Sequence, residues 1–298
     1  MPPITPVTPP DSVVWRVIHF PLTLIVIAIA LVFLDQMIVG TLYYEVRNVP
    51  GVRDGWLNVA LATFVAAIFV ISYILFVLLI ERRAKVDEFE RKGWARELAA
   101  GLLAGVLLFS SVVAVIAALG GYHIIGEHSV AVLFPILALS IISGVTEEIV
   151  VRGLFFRLVE RALGSWIALL CSAALFGAAH LGNPNATPTA AIAIAFEAGI
   201  MLAALYMLTR RLWAAIGLHA AWNFAQGGIY GIAVSGLKQD GVLIPRITGP
   251  TLLTGGNFGA EASLPAMLIC TAFGIILLII AHRRGRFVAP FWARRATS

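Results

Sequence analysis

The chain has 298 residues, of which 60% are hydrophobic and only 12% charged, and its mean hydropathy is +0.94. A soluble domain carries about 25% charged residues, so this composition excludes a soluble enzyme and a disordered protein. The net charge of +5 arises from basic residues placed between long apolar runs, which indicates membrane topology and not a nucleic-acid partner.

The first residues are rich in proline, and we expect a disordered tail over 1–18. Eight apolar runs follow, each close to the roughly 20 residues that a membrane-spanning helix needs. They are 19–41, 57–80, 98–120, 130–156, 165–181, 189–208, 212–230 and 263–281. The sequence therefore predicts an all-α fold, a polytopic integral membrane helical bundle with about eight transmembrane helices.

The order of these runs divides the chain into regions. Three N-terminal helices occupy 19–120 and include a helix-rich loop at 81–97, a membrane domain occupies 130–282, and a basic tail occupies 283–298. Most of the 21 Lys and Arg residues fall on one side if the N-terminus is inside. This bias predicts that both termini, the 81–97 loop and the basic tail are cytoplasmic.

Several ionisable side chains lie inside the predicted spans, where each is a functional candidate because charge is costly in a bilayer. Glu148 and Arg152 are four residues apart on one helix face, so we expect them to form an ion pair. Glu147 points about 100° away from Glu148 around the helix and keeps a free carboxylate. The sequence predicts that Glu147 performs chemistry while its two neighbours support it. A salt bridge that only braces the bundle is the alternative.

Two other spans bring polar side chains to a similar depth. At a rise of 1.5 Å per residue, Glu147, His180 and Asn223 lie about 18 to 22 Å from one predicted membrane surface, and His219 about 12 Å. A carboxylate base, an imidazole that orients water, and an imidazole with an amide that stabilise an oxyanion suit amide hydrolysis by activated water. Glu197, about 18 Å deep, is a candidate for lining the same cavity.

Three short motifs contain these residues. Glu147-Glu148-Ile-Val-Val-Arg152 resembles EExxxR, Phe176-Gly-Ala-Ala-His180 resembles FxxxH, and His219-Ala-Ala-Trp-Asn223 resembles HxxxN. In this order, each within an apolar run, they are similar to the CPBP family. This family contains type II CAAX prenyl endopeptidases, bacterial Abi proteins and proteins similar to lysostaphin resistance protein A. The similarity extends over about 130–282 and leaves out the first three spans.

The resemblance implies an intramembrane glutamic endopeptidase of the CAAX type that uses no cofactor. It implies that Glu147 activates the water, that His180 holds this water, and that His219 and Asn223 stabilise the oxyanion. The second glutamate and the arginine of the first motif would keep that motif in shape. The implied partner is a membrane-associated protein or peptide, CAAX-like or lipidated, in a bacterial inner or plasma membrane.

Three other interpretations remain open. Glu147, His180 and His219 also form a plausible zinc set, which would make the protein a metalloprotease. The polar cluster could instead belong to a non-catalytic immunity or scaffold protein. A proton-coupled transporter would also explain buried Glu and His, although the sequence contains no inverted repeat.

The two cysteines lie in apolar runs and do not predict a disulfide.

Overall fold

The computed structural model describes residues 12–47 and 55–293. In chain order the helices are α1 (Val13–Ile18), α2 (Pro21–Arg47), α3 (Gly55–Leu75), α4 (Trp94–Ala118), α5 (Leu133–Glu148), α6 (Arg157–Leu163), α7 (Ser165–Ala179), α8 (Pro188–Ile194), α9 (Met201–Thr209), α10 (Trp213–Asn223), α11 (Thr251–Thr254) and α12 (Leu264–Arg283). The strands are β1 (Tyr122–Glu127) and β2 (Leu243–Ile247). The all-α membrane bundle predicted from the sequence is confirmed.

Four π-helical segments continue or join these helices. They are Phe76–Ile80 after α3, Ile149–Phe156 between α5 and α6, Ala195–Ile200 between α8 and α9, and Phe224–Ile229 after α10. Such wide turns are rare and often occur at functional sites. Three of the four begin within a few residues of a side chain that the sequence singles out for chemistry.

Among the described residues, seven helices are long and apolar enough to cross a membrane. They match seven of the eight predicted runs, and the fourth extends over Val130–Leu163 as one helical path. The remaining run, 212–230, forms α10 and its π-helical continuation, which have 11 and six residues. This helix is slightly shorter than the others, and its residues are buried or half-buried.

The two strands pair in an antiparallel ribbon with Tyr122 opposite Ile247. The sequence analysis did not predict this ribbon. It joins the end of α4 to the long connection between α10 and α12, so both lie at one end of the bundle, here called the ribbon end. The Tyr122 hydroxyl donates to the carbonyl of Tyr230 at 2.9 Å and fixes this connection to the bundle.

Two expectations need correction. The tail predicted as disordered over 1–18 contains α1, because the Ser12 side chain accepts a hydrogen bond from the Trp15 N–H and caps the helix. Residues 1–11 lie outside the described part. The 81–97 loop is not rich in helix, since it has one 3₁₀ turn at Asp87–Phe89 before α4 begins. Ion pairs such as Arg157–Glu81, at 2.7 Å, hold the loop against the bundle.

Helix α10 is packed tightly because glycines let neighbouring backbones approach it. A Cβ on Gly101 or Gly105 of α4 would overlap the α10 carbonyls of Ala214 or Leu218. A Cβ on Gly144 of α5 would lie 2.8 Å from the Cβ of Ala220. Small residues at helix contacts are typical of membrane bundles. They place α10 directly against α4 and α5 and fix the position of its polar side chains.

Candidate active site

The candidate site forms where α5, α7 and α10 meet. Glu147 and Glu148 are the last residues of α5, and His180 directly follows α7. His219 and Asn223 lie one turn apart on α10. The π turn that follows α5 begins at Ile149 and carries Arg152. All of the side chains that the sequence singled out for catalysis therefore converge on one region within the bundle.

The second glutamate of the pair lies at the centre of a fully buried polar group. Glu148 Oε1 accepts from Arg152 Nη1 at 2.8 Å, as the four-residue spacing predicts. The same oxygen lies 2.9 Å from Nδ1 of His219, a contact that the sequence did not predict. Arg152 Nη2 also donates to the carbonyls of Ala198 and Gly199 at 3.1 and 3.3 Å. This network fixes the imidazole of α10 relative to α5.

Glu147 has a different environment from its neighbour. Its side chain is 37% exposed, and its Oε2 lies 3.9 Å from Nε2 of His219, beyond hydrogen-bond distance. It lines a cavity of about 290 Å³ together with Phe176, His180 and Asn183. A carboxylate that faces a cavity and makes no hydrogen bond within the described part of the chain can accept a proton from a bound molecule.

The orientation of His180 follows from its own helix. Its Nδ1 lies 2.7 Å from the carbonyl of Phe176, which can only accept, so Nδ1 carries the proton and Nε2 is left for a ligand. The ring of Phe176 lies between the polar groups of the site. Its centre is 4.5 Å from the Arg152 guanidinium carbon, 4.8 Å from the His180 ring and 5.9 Å from the His219 ring.

Behind the histidines lies a second cavity of about 20 Å³, large enough for about one water molecule. It is lined by His219, Asn223, Glu197 and Glu261, among others. Asn223 is buried and donates from Nδ2 to the Ser143 hydroxyl at 2.8 Å, which leaves one amide hydrogen for another acceptor. Glu197 thus lines a cavity beside the site, and not the larger one that Glu147 faces.

Glu261 was missed by the sequence analysis. It lies in the irregular connection between α11 and α12, which has no periodic pattern that would place it near α10. Burial raises its pKa to about 7, although the N–H of Ser235 donates to its carboxylate at 2.5 Å. No motif spacing could have found it, because it lies 38 residues from Asn223 in the printed sequence.

The structure restricts how Glu147, His180 and His219 could bind a zinc ion. His219 directs Nδ1 to Glu148, so only Nε2 could bind a metal ion on the side of Glu147. Within residues 12–47 and 55–293, no three His, Cys, Asp or Glu side chains form a group that could hold a metal ion. The arrangement of these side chains therefore gives no positive support for a zinc site.

Residues 129–225 match the model of a family described as Type II CAAX prenyl endopeptidase Rce1-like. Over these residues the chain is similar to that family, which agrees with the resemblance of its three motifs to the CPBP family. The matched region contains all three motifs, from Glu147 to Asn223, and excludes α2, α3, α4 and the connection that carries Glu261. Neither a curated protein nor a solved structure gave a significant match.

Proposed function

We propose that the protein is an intramembrane endopeptidase of the CAAX type that hydrolyses a peptide bond with a glutamate-activated water. The family match supports this class of activity. The observation that carries the mechanism is the contrast between two adjacent glutamates. Glu148 is buried in an ion pair, whereas Glu147 faces the cavity that His180 also lines. One carboxylate thus has a structural partner and the other is available to react.

In the proposed reaction, Glu147 takes a proton from a water molecule that Nε2 of His180 helps to orient. The water oxygen attacks the carbonyl carbon of the substrate, and the carbonyl oxygen becomes an oxyanion. Glu147 then returns the proton to the leaving nitrogen, and the C–N bond breaks to give a carboxylic acid and an amine. The acid transfers its proton to the amine, so the final products are a carboxylate and an ammonium group. Both atoms and charge balance without a covalent intermediate.

The oxyanion requires hydrogen-bond donors, which α10 can supply. The free amide hydrogen of Asn223 is one donor, and protonated Nε2 of His219 is the other. Glu148 accepts from Nδ1 of His219 and orients the ring, so that Nε2 points towards Glu147. Arg152 balances the charge of Glu148. Glu148 and Arg152 are therefore positioning residues in this mechanism.

The substrate is proposed to be a membrane-associated protein or peptide with a hydrocarbon portion. An apolar groove of about 270 Å³ shares Val32 and Val150 with the cavity of Glu147 and is lined almost entirely by aliphatic side chains. A CAAX-like or lipidated segment could place its apolar part there and its peptide bond beside Glu147. The proposed location is a plasma membrane, and the basic loops favour an orientation with both termini cytoplasmic.

The test compares protein termini in membrane fractions of cells that express wild type, Glu147→Gln or Glu127→Gln at equal abundance. Glu127 is exposed on β1 and controls for the loss of one carboxylate. We expect new termini with wild type and Glu127→Gln that are absent with Glu147→Gln. Termini that are unchanged by Glu147→Gln would contradict the mechanism and favour a non-catalytic scaffold. Cleavage that a chelator abolishes, with one zinc per chain, would instead favour the metalloprotease.

A further inference from the structure

The cavity of Glu147 has one wall that comes from outside the family domain. Val32 and Gln36 of α2 line it, opposite the residues of α5 and α7. They are four residues apart and therefore share one face of α2. Since the family match begins at residue 129, this wall is a feature that the three motifs do not describe.

Gln36 is an unusual residue for its position. It lies 15 residues after the start of α2 at Pro21, which places it about 22 Å along the helix, at the depth estimated for Glu147. Its side chain is exposed, and no group in the described part of the chain hydrogen-bonds to its amide. An unpaired amide in hydrocarbon is costly, so this residue is a functional candidate and not a packing choice.

The orientation of Gln36 is fixed by its neighbour. Asp35 is buried and accepts a hydrogen bond from the Ser72 hydroxyl of α3 at 2.8 Å. Consecutive residues of a helix point about 100° apart, so the contact of Asp35 with α3 directs Gln36 to another side. That side is the cavity, where Val32 lies one turn earlier. The register of α2 therefore presents the amide to the site.

A primary amide offers both an N–H donor and a carbonyl acceptor, which are the two groups that a peptide unit needs. A substrate that enters this cavity at membrane depth leaves water, and its backbone polar groups then require partners from the protein. We propose that Gln36 binds the substrate backbone beside the scissile bond and is a substrate-binding residue contributed by α2. This proposal rests on the proposed endopeptidase function.

The first experiment measures cleavage of a farnesylated CAAX peptide with a fluorophore and quencher by the purified full-length protein. Gln36→Leu keeps similar size but removes the amide. We expect it to raise KM about tenfold with kcat within about twofold, because the lost hydrogen bond is made equally in ground state and transition state. Met37→Leu, on the exposed side of α2, is the matched control and should change neither constant.

The outcomes separate the two proposals. Loss of cleavage in Glu147→Gln together with an unchanged KM in Gln36→Leu would overturn the role of Gln36 alone. Cleavage that persists in Glu147→Gln would overturn the glutamate mechanism. A KM increase of the same size in Met37→Leu would indicate a general disturbance of α2 and would also overturn the role of Gln36.

A second measurement does not depend on cleavage. In a Glu147→Gln protein without its native cysteines, Gln36→Cys is labelled with a water-soluble maleimide in the presence and absence of the same peptide. We expect saturating peptide to slow labelling at least about fivefold, and to leave labelling of Met37→Cys unchanged. Equal labelling rates with and without peptide would overturn the proposal whether or not the wild type cleaves the probe.

Discussion

Helices α10 and α2 both contribute to the site, but they are attached to the bundle in different ways. Helix α10 lies against α4 and α5 through glycine contacts, and His219 is bound to Glu148. Within residues 21–41 of α2, most of the large side chains are exposed, and the polar contact with another helix is the hydrogen bond from Ser72 to Asp35. The comparison indicates that the groups proposed for chemistry are held rigidly, whereas the wall that faces a substrate is only lightly attached.

The largest effect should come from breaking the network that holds α10. Arg152→Met leaves the buried Glu148 carboxylate without its cation, which costs about 3 to 5 kcal/mol of unfolding free energy. Denaturation of the purified protein in mixed detergent micelles measures this loss. The double variant Glu148→Gln/Arg152→Met removes both charges and should recover part of it. Equal stability of Arg152→Met and wild type would contradict the rigid attachment of α10.

Glu261, which lines the small cavity beside α10, should make the stability of the protein depend on pH. Glu261 has an ordinary pKa of 4.5 and a folded-state pKa of about 7, so its neutral form stabilises the fold. This contribution is complete below about pH 4.5 and is lost as the pH rises through 7, which corresponds to at most about 3 kcal/mol. We expect the melting temperature to fall between pH 4.5 and 7.5, and to fall less in Glu261→Gln. An identical pH profile in this variant would show that other groups are responsible.

Replacing a glycine by alanine should destabilise the protein at the contact between α4 and α10, but not on α2. Gly101→Ala places a Cβ against the α10 backbone and should cost about 1 to 3 kcal/mol. Gly40→Ala on α2 meets no atom within 4 Å and should be neutral or stabilising by up to about 1 kcal/mol. Melting temperatures of the two variants check this pair. A loss in Gly40→Ala as large as that in Gly101→Ala would remove the contrast.

The smallest effect is expected at the contact that positions α2. Ser72→Ala removes the donor to Asp35 and should cost about 1 kcal/mol, because a single hydrogen bond has a modest net value. A double-mutant cycle with Asp35→Asn measures the coupling between the two side chains. Additive effects of the two substitutions would mean that this contact does not hold α2.

The spacing of residues along the sequence predicted the contacts of the site that lie within a single helix. The Glu148–Arg152 ion pair and the separate direction of Glu147 follow from helical geometry, and both are present. Counting residues from the predicted membrane surface also placed the polar side chains of three helices at similar depths in the membrane. Spacing could not predict that His219 binds Glu148, because that contact joins residues 71 positions apart. It also could not find Glu261, which is brought to α10 by an irregular connection.

The helix count illustrates a second limit. Hydropathy located all eight apolar runs, because the length of a spanning helix is set by the bilayer. It did not indicate the ribbon of β1 and β2, since this pairing links segments more than 100 residues apart. Nor did it reveal that Gln36 faces the cavity. The side that a lipid-exposed helix presents depends on the neighbours it meets, and α2 meets few.

The π turn at Ile149–Phe156 joins α5 to α6 and sets the direction in which the side chains of α6 point relative to those of α5. A π turn contains one residue more than an α-helical turn, so the residues after it are offset by about 100° from a continuous α-helix. Loss of one residue after Arg152 in this segment would leave Glu147, Glu148 and Arg152 in place and would turn the whole of α6 to a different side. Mutations that shorten or lengthen the chain between Arg152 and α6 would therefore reorient α6, including the Arg157 that pairs with Glu81, without altering the Glu148–Arg152 pair.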